Sequence, residues 1–218
     1  MPLVQPITMQ SYLGIVTVAV FIFTLTGSNG LPGRGLDVQS VNRTINDFFR
    51  NLSDPRFISH DSHSHLGHSV ELNNVTIGGI SNVRASVIQL PKFLNRNALI
   101  VLNAPKLEIN VTQYNLAGNT TYGNGSARFI IEDVKIEIKG VKRLFRNDIS
   151  IKSVSLSVGH GQVDITGLYN DEEKSKAISQ NMTRFLNNEF NTNKKVQAKV
   201  SERLKPLVEK LKNNIFGN

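Results

Sequence analysis

The 218-residue chain contains no cysteine. That excludes a disulfide framework, thiol catalysis and thiolate-ligated metal, so stability must come from burial. Tryptophan is also absent, and aromatic residues make up 7% of the chain. With neither a stacking platform nor a recognition motif, the +8 formal charge does not read as nucleic-acid binding. No Gly-x-Ser-x-Gly elbow, paired-carboxylate pattern or phosphate loop surrounds the serines and acids, so the sequence reads as no enzyme and implies no cofactor.

Charge is missing from Met1 to Gly33. Inside that stretch the apolar run Leu13 to Leu25 falls short of the ~20 residues a membrane span requires, and small residues at Thr26, Ser28 and Gly30 offer cleavage positions. Residues 1–28 are therefore expected to be a signal peptide, 29–36 a linker and 37–218 a single domain; an uncleaved anchor is the alternative. Seven N-x-S/T triplets, at Asn42, Asn51, Asn74, Asn110, Asn119, Asn124 and Asn181, are candidate glycosylation acceptors and agree with secretion. Asn181 lies close to an apolar stripe, which argues against use of all seven.

What the chain does have is 39% apolar residues, enough for a real core. Val38, Val41, Ile45, Phe48, Phe49 and Leu52 mark a first amphipathic helix, with Asp37 or Ser40 as its cap and Ser53-Asp54-Pro55 as its end. From Phe57 to Ser69 the chain is polar and His-rich and reads as a loop. His60, His63, His65 and His68, with Asp61 among them, are weak candidates for metal binding or a pH response. Their spacing matches no rigid ligand-bearing motif, and a solvated loop is the favoured reading.

A pattern then repeats four times. Val70-x-Leu72-x-x-Val75-x-Ile77 is echoed from Ile109 to Leu116, from Phe129 to Ile138 and from Ile149 to Val158. In each, strand alternation slips by one residue. A slip normally throws half the apolar set onto the other face, whereas a β-bulge absorbs it and bends the strand. The alternative is a sheet passing between two layers, with each strand burying opposite faces at its two ends. Turn signals at Gly78-Gly79, Asn95-Arg96-Asn97, Gly123-Asn124-Gly125 and Arg146-Asn147-Asp148 make neighbouring strands antiparallel. Val83 to Leu90 adds a strand, and Pro105 points to an edge or a strand start.

From Asp171 to Phe216, apolar residues recur at steps of three and four, predicting one very long helix too exposed to be stable without a cover. Asn191, Thr192 and Asn193 leave a polar notch, read either as a polar contact in the interior or as a break between two helices. Pro206 predicts a kink or stop just before it.

This order of elements resembles the lipid-binding half-barrel superfamily of the bactericidal/permeability-increasing proteins. Within it, the sequence is similar to the mite group 7 allergen-like proteins, relatives of takeout and juvenile hormone-binding proteins. The cues are Asp54-Pro55, the Val70 to Ile80 strand ending in Gly-Gly-Ile, and Arg203-Leu204-Lys205-Pro206-Leu207. The resemblance implies an α+β fold in which a curved, bulged antiparallel sheet wraps a very long C-terminal helix around an apolar groove. It implies a secreted, non-enzymatic carrier of a fatty acid, lipid or terpenoid-like ligand.

Expected lining residues are Ile109, Val111, Tyr114, Phe129, Ile131, Val134, Phe185, Leu186 and Phe190, with Tyr114 the one polar handle; closed core is the competing reading. Phe190 is expected to face ligand space and Leu204 the packed end. The alternative function is a surface-recognition module for anionic lipid or lipopolysaccharide. It would use the basic stretch that holds Lys135, Lys139, Lys142, Arg143, Arg146 and Lys152.

Overall fold

The protein is described by a computed structural model covering residues 37–65, 68–92, 95–118, 121–142 and 149–216. The expected signal peptide and linker therefore lie outside the described residues, as do Asn119, Arg143 and Arg146. Asp37 starts the first helix, α1 (Val38–Arg50), its carboxylate accepting from Ser40 N at 2.9 Å and Ser40 Oγ at 2.6 Å. Val41, Ile45 and Phe49, spaced four apart, are its buried residues. Seven strands follow: β1 (Arg56–His65), β2 (His68–Gly78), β3 (Arg84–Gln89), β4 (Asn97–Ala117), β5 (Gly123–Lys142), β6 (Ile149–Ser157) and β7 (His160–Ile165). They form one antiparallel sheet in the order β1-β2-β4-β5-β6, with β3 pairing beside β4 and β7 beside β5.

The four sequence slips sit at four irregularities of the ladder. In β2 and β5 they fall at Asn74 and Asp133, non-glycine residues in the left-handed region, each with φ 52°. In β4, Thr112 and Gln113 share one partner position between the pairs Val111↔Ala127 and Tyr114↔Gly125. In β6, Lys152 is the extra residue between Gly140↔Ile151 and Lys139↔Ser153. The apolar set stays on one face through each slip, with Ile109, Val111, Tyr114, Phe129, Ile131, Val134, Ile136, Ile138 and Val154 all in one buried cluster. The bulge reading holds, and the reading in which strands switch faces is overturned.

Three expectations need correction. The His-rich segment is not a loop: it makes edge strand β1 and the start of β2, in register from Arg56↔Ile77 to His65↔His68. Backbone pairing with β2 overrides the polar composition, because an edge strand tolerates polar side chains. Pro105 is neither at a strand end nor on an edge strand, but mid-way along central β4. There β2 has ended at Gly78↔Glu108, β3 begins at Arg84↔Asn103, and the pairing with β5 steps from Ala104↔Val134 to Lys106↔Glu132, so the position without an N–H falls in a gap skipped by every strand partner. Gly79 (φ +92°) closes that gap, since a Cβ there would stand 2.0 Å from the Lys106 carbonyl oxygen.

The third correction is the long helix, which is two: α2 (Glu172–Asn188) and α3 (Lys194–Phe216). The amides of Glu189 and Phe190 both donate to the Phe185 carbonyl at 2.9 Å, and Asn193 Oδ1 caps the next helix by accepting from Val196 N at 3.2 Å. Pro206 lies inside α3, which neither stops nor ends before it. The apolar stripe nevertheless continues across the break, with Phe185, Phe190, Val196, Val200, Leu204, Val208 and Leu211 all buried against the sheet's inner face. None of the described helices is long and apolar enough to cross a membrane.

Candidate functional site

The two C-terminal helices meet the sheet by different means. Along α2 the contact is polar. Ser175, Ser179, Thr183, Asn187 and Asn191 recur every four residues, and each bonds the backbone of the chain segment that carries β7. Ser175 Oγ accepts from Leu168 N (2.9 Å), Ser179 Oγ from Ile165 N (2.8 Å) and Thr183 Oγ1 from Val163 N (2.9 Å). The two amides bond in both directions: Asn187 with Gly161 N (2.7 Å) and O (3.0 Å), and Asn191 with Val158 N (3.0 Å) and O (2.7 Å). This ladder covers the β7 edge that β5 leaves open, and it requires Gly161, where a Cβ would meet Leu186 Cδ1 at 2.8 Å. The Asn191 notch is thus a polar contact and also lies in a helix break.

The nine expected lining residues gather at this α2 end of the interior. All are buried, in one hydrophobic cluster that also takes in Ile100, Ile138, Val208 and Leu211. Phe190 is 2% exposed and meets the Phe185 ring edge-on at 6.4 Å between centroids. Tyr114 donates its hydroxyl to the Thr166 carbonyl, and burial pushes its pKa up to about 12. The polar handle is therefore already occupied by the protein.

An open apolar cleft lies at the other end, where α3 runs past the far ends of the central strands. Leu90, Ala98, Ile100, Ile138, Gly140, Ile149 and Ile151 line it from the sheet side, and Val208, Leu211 and Lys212 from α3. It has room for only about 20 Å³, little more than one water and well short of the ~300–1,000 Å³ usual for small-molecule sites, so a ligand has to part α3 from the sheet to enter. Sequence reasoning missed this location, since none of the nine expected residues lines it. Lys212 is the one charged lining residue; its side chain is 15% exposed and its Nζ lies 2.7 Å from Glu209 Oε2.

The basic candidates divide. Lys139 Nζ is 2.8 Å from Glu137 Oε1, and that bond, with the charges of Lys139 and Lys135, holds the Glu137 carboxyl below its usual range. Lys142 is half-buried at the end of β5 beside the cleft, its Cα opposite that of the lining residue Ile149. His60 Nδ1 lies 2.7 Å from Asn73 Oδ1; the side chains of His63, His65 and His68 lie outside the description. Of the glycosylation candidates, Asn51, Asn74, Asn124 and Asn181 are exposed, while Asn42 and Asn110 are half-buried. Thr183, third residue of the Asn181 triplet, is engaged in the α2 ladder.

A family model described as haemolymph juvenile hormone binding protein (JHBP) matches residues 54–218. A comparison with curated proteins finds no significant match. Among solved structures, Takeout 1 of Epiphyas postvittana is similar at 11% identity, with 80% of this chain and 89% of that chain covered and a TM-score of 0.49. A lipopolysaccharide binding protein is similar at 10% identity over 83% of this chain and 36% of that chain, with a TM-score of 0.40.

Proposed function

Because the chain belongs to the haemolymph juvenile hormone binding protein family, we propose that it is a secreted, non-enzymatic carrier that holds the tail of an apolar ligand in the cleft between α3 and the sheet. The narrower likeness to mite group 7 proteins rests on the sequence cues alone. The observation that carries the reading is the cleft itself: open, apolar on both walls, and lined by neighbouring strands and the C-terminal helix. Each methylene buried there contributes ~0.8 kcal/mol before ordering and association costs. A chain held mainly by burial is selected by length and shape more than by polar groups. The alternative, recognition of anionic surfaces through Lys139, Lys142, Arg143 and Arg146, is weakened by the pairing of Lys139 with Glu137.

Native mass spectrometry of protein made in a eukaryotic host should show a co-purifying lipid. Delipidated protein should take up a neutral, long-chain fluorescent probe with little response to salt, and Ala98→Phe, which fills the cleft from the sheet side, should abolish uptake. Uptake unchanged in Ala98→Phe would overturn the cleft as the binding site. Binding to anionic liposomes that falls steeply with salt, with no lipid taken up, would favour surface recognition instead.

A further inference from the structure

We infer that the cleft prefers an anionic, carboxylate-headed amphiphile over a neutral one of the same chain length, with Lys212 as the group that reads the head. This rests on the carrier reading above and deepens it. Lys212 lines the apolar cleft, yet its ammonium reaches Glu209, whose side chain is 38% exposed. A lysine that runs its stem along an apolar wall and pairs its head with a more exposed acid marks the polar edge of that wall. An amphiphile that buries its tail in the same space leaves its head at the same boundary, within reach of the same ammonium.

The surroundings give that boundary a sign. Lys142 sits opposite Ile149, and its backbone N–H donates to the Arg96 carbonyl at 2.9 Å. Lys92 follows the lining residue Leu90 by two positions, and both Lys92 and Arg96 are exposed. Lys142 and Arg96 thus come together at the strand ends that border the cleft, and Lys212 lines it with Glu209 as one of its partners. A ligand carboxylate takes the place of Glu209 on Lys212, and Glu209 turns to solvent. Nothing comparable awaits a hydroxyl or an ester head, which draws little from a positive rim.

The test compares dodecanoate with dodecanol on delipidated full-length protein, by displacement of a fluorescent fatty acid. The acid should bind about tenfold or more tighter than the alcohol, as for one hydrogen bond to a charged group. Lys212→Met should bring the ratio of acid to alcohol affinity close to one, and Lys212→Arg should restore it. If the wild-type protein binds acid and alcohol equally, the headgroup inference fails and the carrier reading stands. If neither binds, both fail. Equal weakening of acid and alcohol by Lys212→Met would make Lys212 a mere wall of the cleft and overturn its role. Should that variant not fold, the wild-type comparison repeated at high salt decides: an acid preference that does not shrink as salt rises would overturn the inference.

Discussion

Phe190→Ala separates closed core from ligand space at the residue where sequence and structure disagree most. The ring is 2% exposed, packs edge-on against Phe185 and lies under a backbone turn that Gln197 Nε2 ties down by donating to the Phe190 carbonyl at 2.9 Å. Removing it leaves a hole the surroundings cannot collapse into, and Phe→Ala in such sites costs ~3–5 kcal/mol. Against the ~5–15 kcal/mol available to a domain this is severe. At ~2–4 °C per kcal/mol for this size class, the melting temperature should fall by roughly 6–20 °C. Leu211→Ala should behave differently. Its side chain lines the open cleft, so the deleted volume merges with space that water or ligand already reaches, and the loss should sit near the ~2 kcal/mol end for such truncations. Urea denaturation of both delipidated variants, followed by fatty-acid titration, checks the contrast: Phe190→Ala should lose the more stability and keep affinity, Leu211→Ala should lose less stability and bind more weakly. A Phe190→Ala protein as stable as the parent, with uptake reduced, would refute this and return the binding space to the α2 end.

Three further outcomes are expected. Thr183→Val keeps the shape but orphans the Val163 amide of a residue 2% exposed; it should cost ~1–3 kcal/mol in urea unfolding and speed hydrogen exchange at that amide. Asp54 is partly buried, which raises its pKa, but hydrogen bonds from Ser81 Oγ, Ser81 N and Gly79 N outweigh this and hold it below its ordinary value. Its contribution is thus present above the unfolded carboxylate pKa and lost as pH falls through the folded one, so Asp54→Asn should flatten the acid limb of stability against pH. Tyr114 stays neutral up to about 12 when folded but ionises near ~10 when unfolded. Stability should therefore fall as pH rises between those values, and Tyr114→Phe should remove that decline in alkaline denaturation curves.

The curved sheet was legible because a bulge preserves the identity of the buried face: Val75, Tyr114, Val134 and Val154 each resume the apolar pattern after a two-residue gap, and sequence records that gap directly. The placement of the cleft was not. Phe190 and Leu211 occupy the same apolar stripe and are both buried, and nothing local to α3 tells where its packing against the sheet leaves a cleft. The polar ladder carried a signal, a four-residue period of Ser175, Ser179, Thr183, Asn187 and Asn191. Its partners are backbone groups rather than side chains, however, so their identity leaves no trace in composition. β1 was hidden for the same reason, since its His- and Ser-rich residues are held by β2's backbone.

The α2 ladder also works as a vernier. Four residues of helix advance ~6.0 Å while two residues of strand advance ~6.6–6.8 Å, so each inner rung is out of step with the last by less than an ångström. A few rungs absorb that drift; a much longer run would lose its bonds. The row that carries the rungs is inclined ~26° to the helix axis, so a strand that follows it must cross α2 obliquely, turning its sheet around the helix as it goes. One residue inserted between Ser175 and Asn191 would swing every later rung about 100° off the edge. The length of α2 is therefore far less free to change in related sequences than the turns that join the strands.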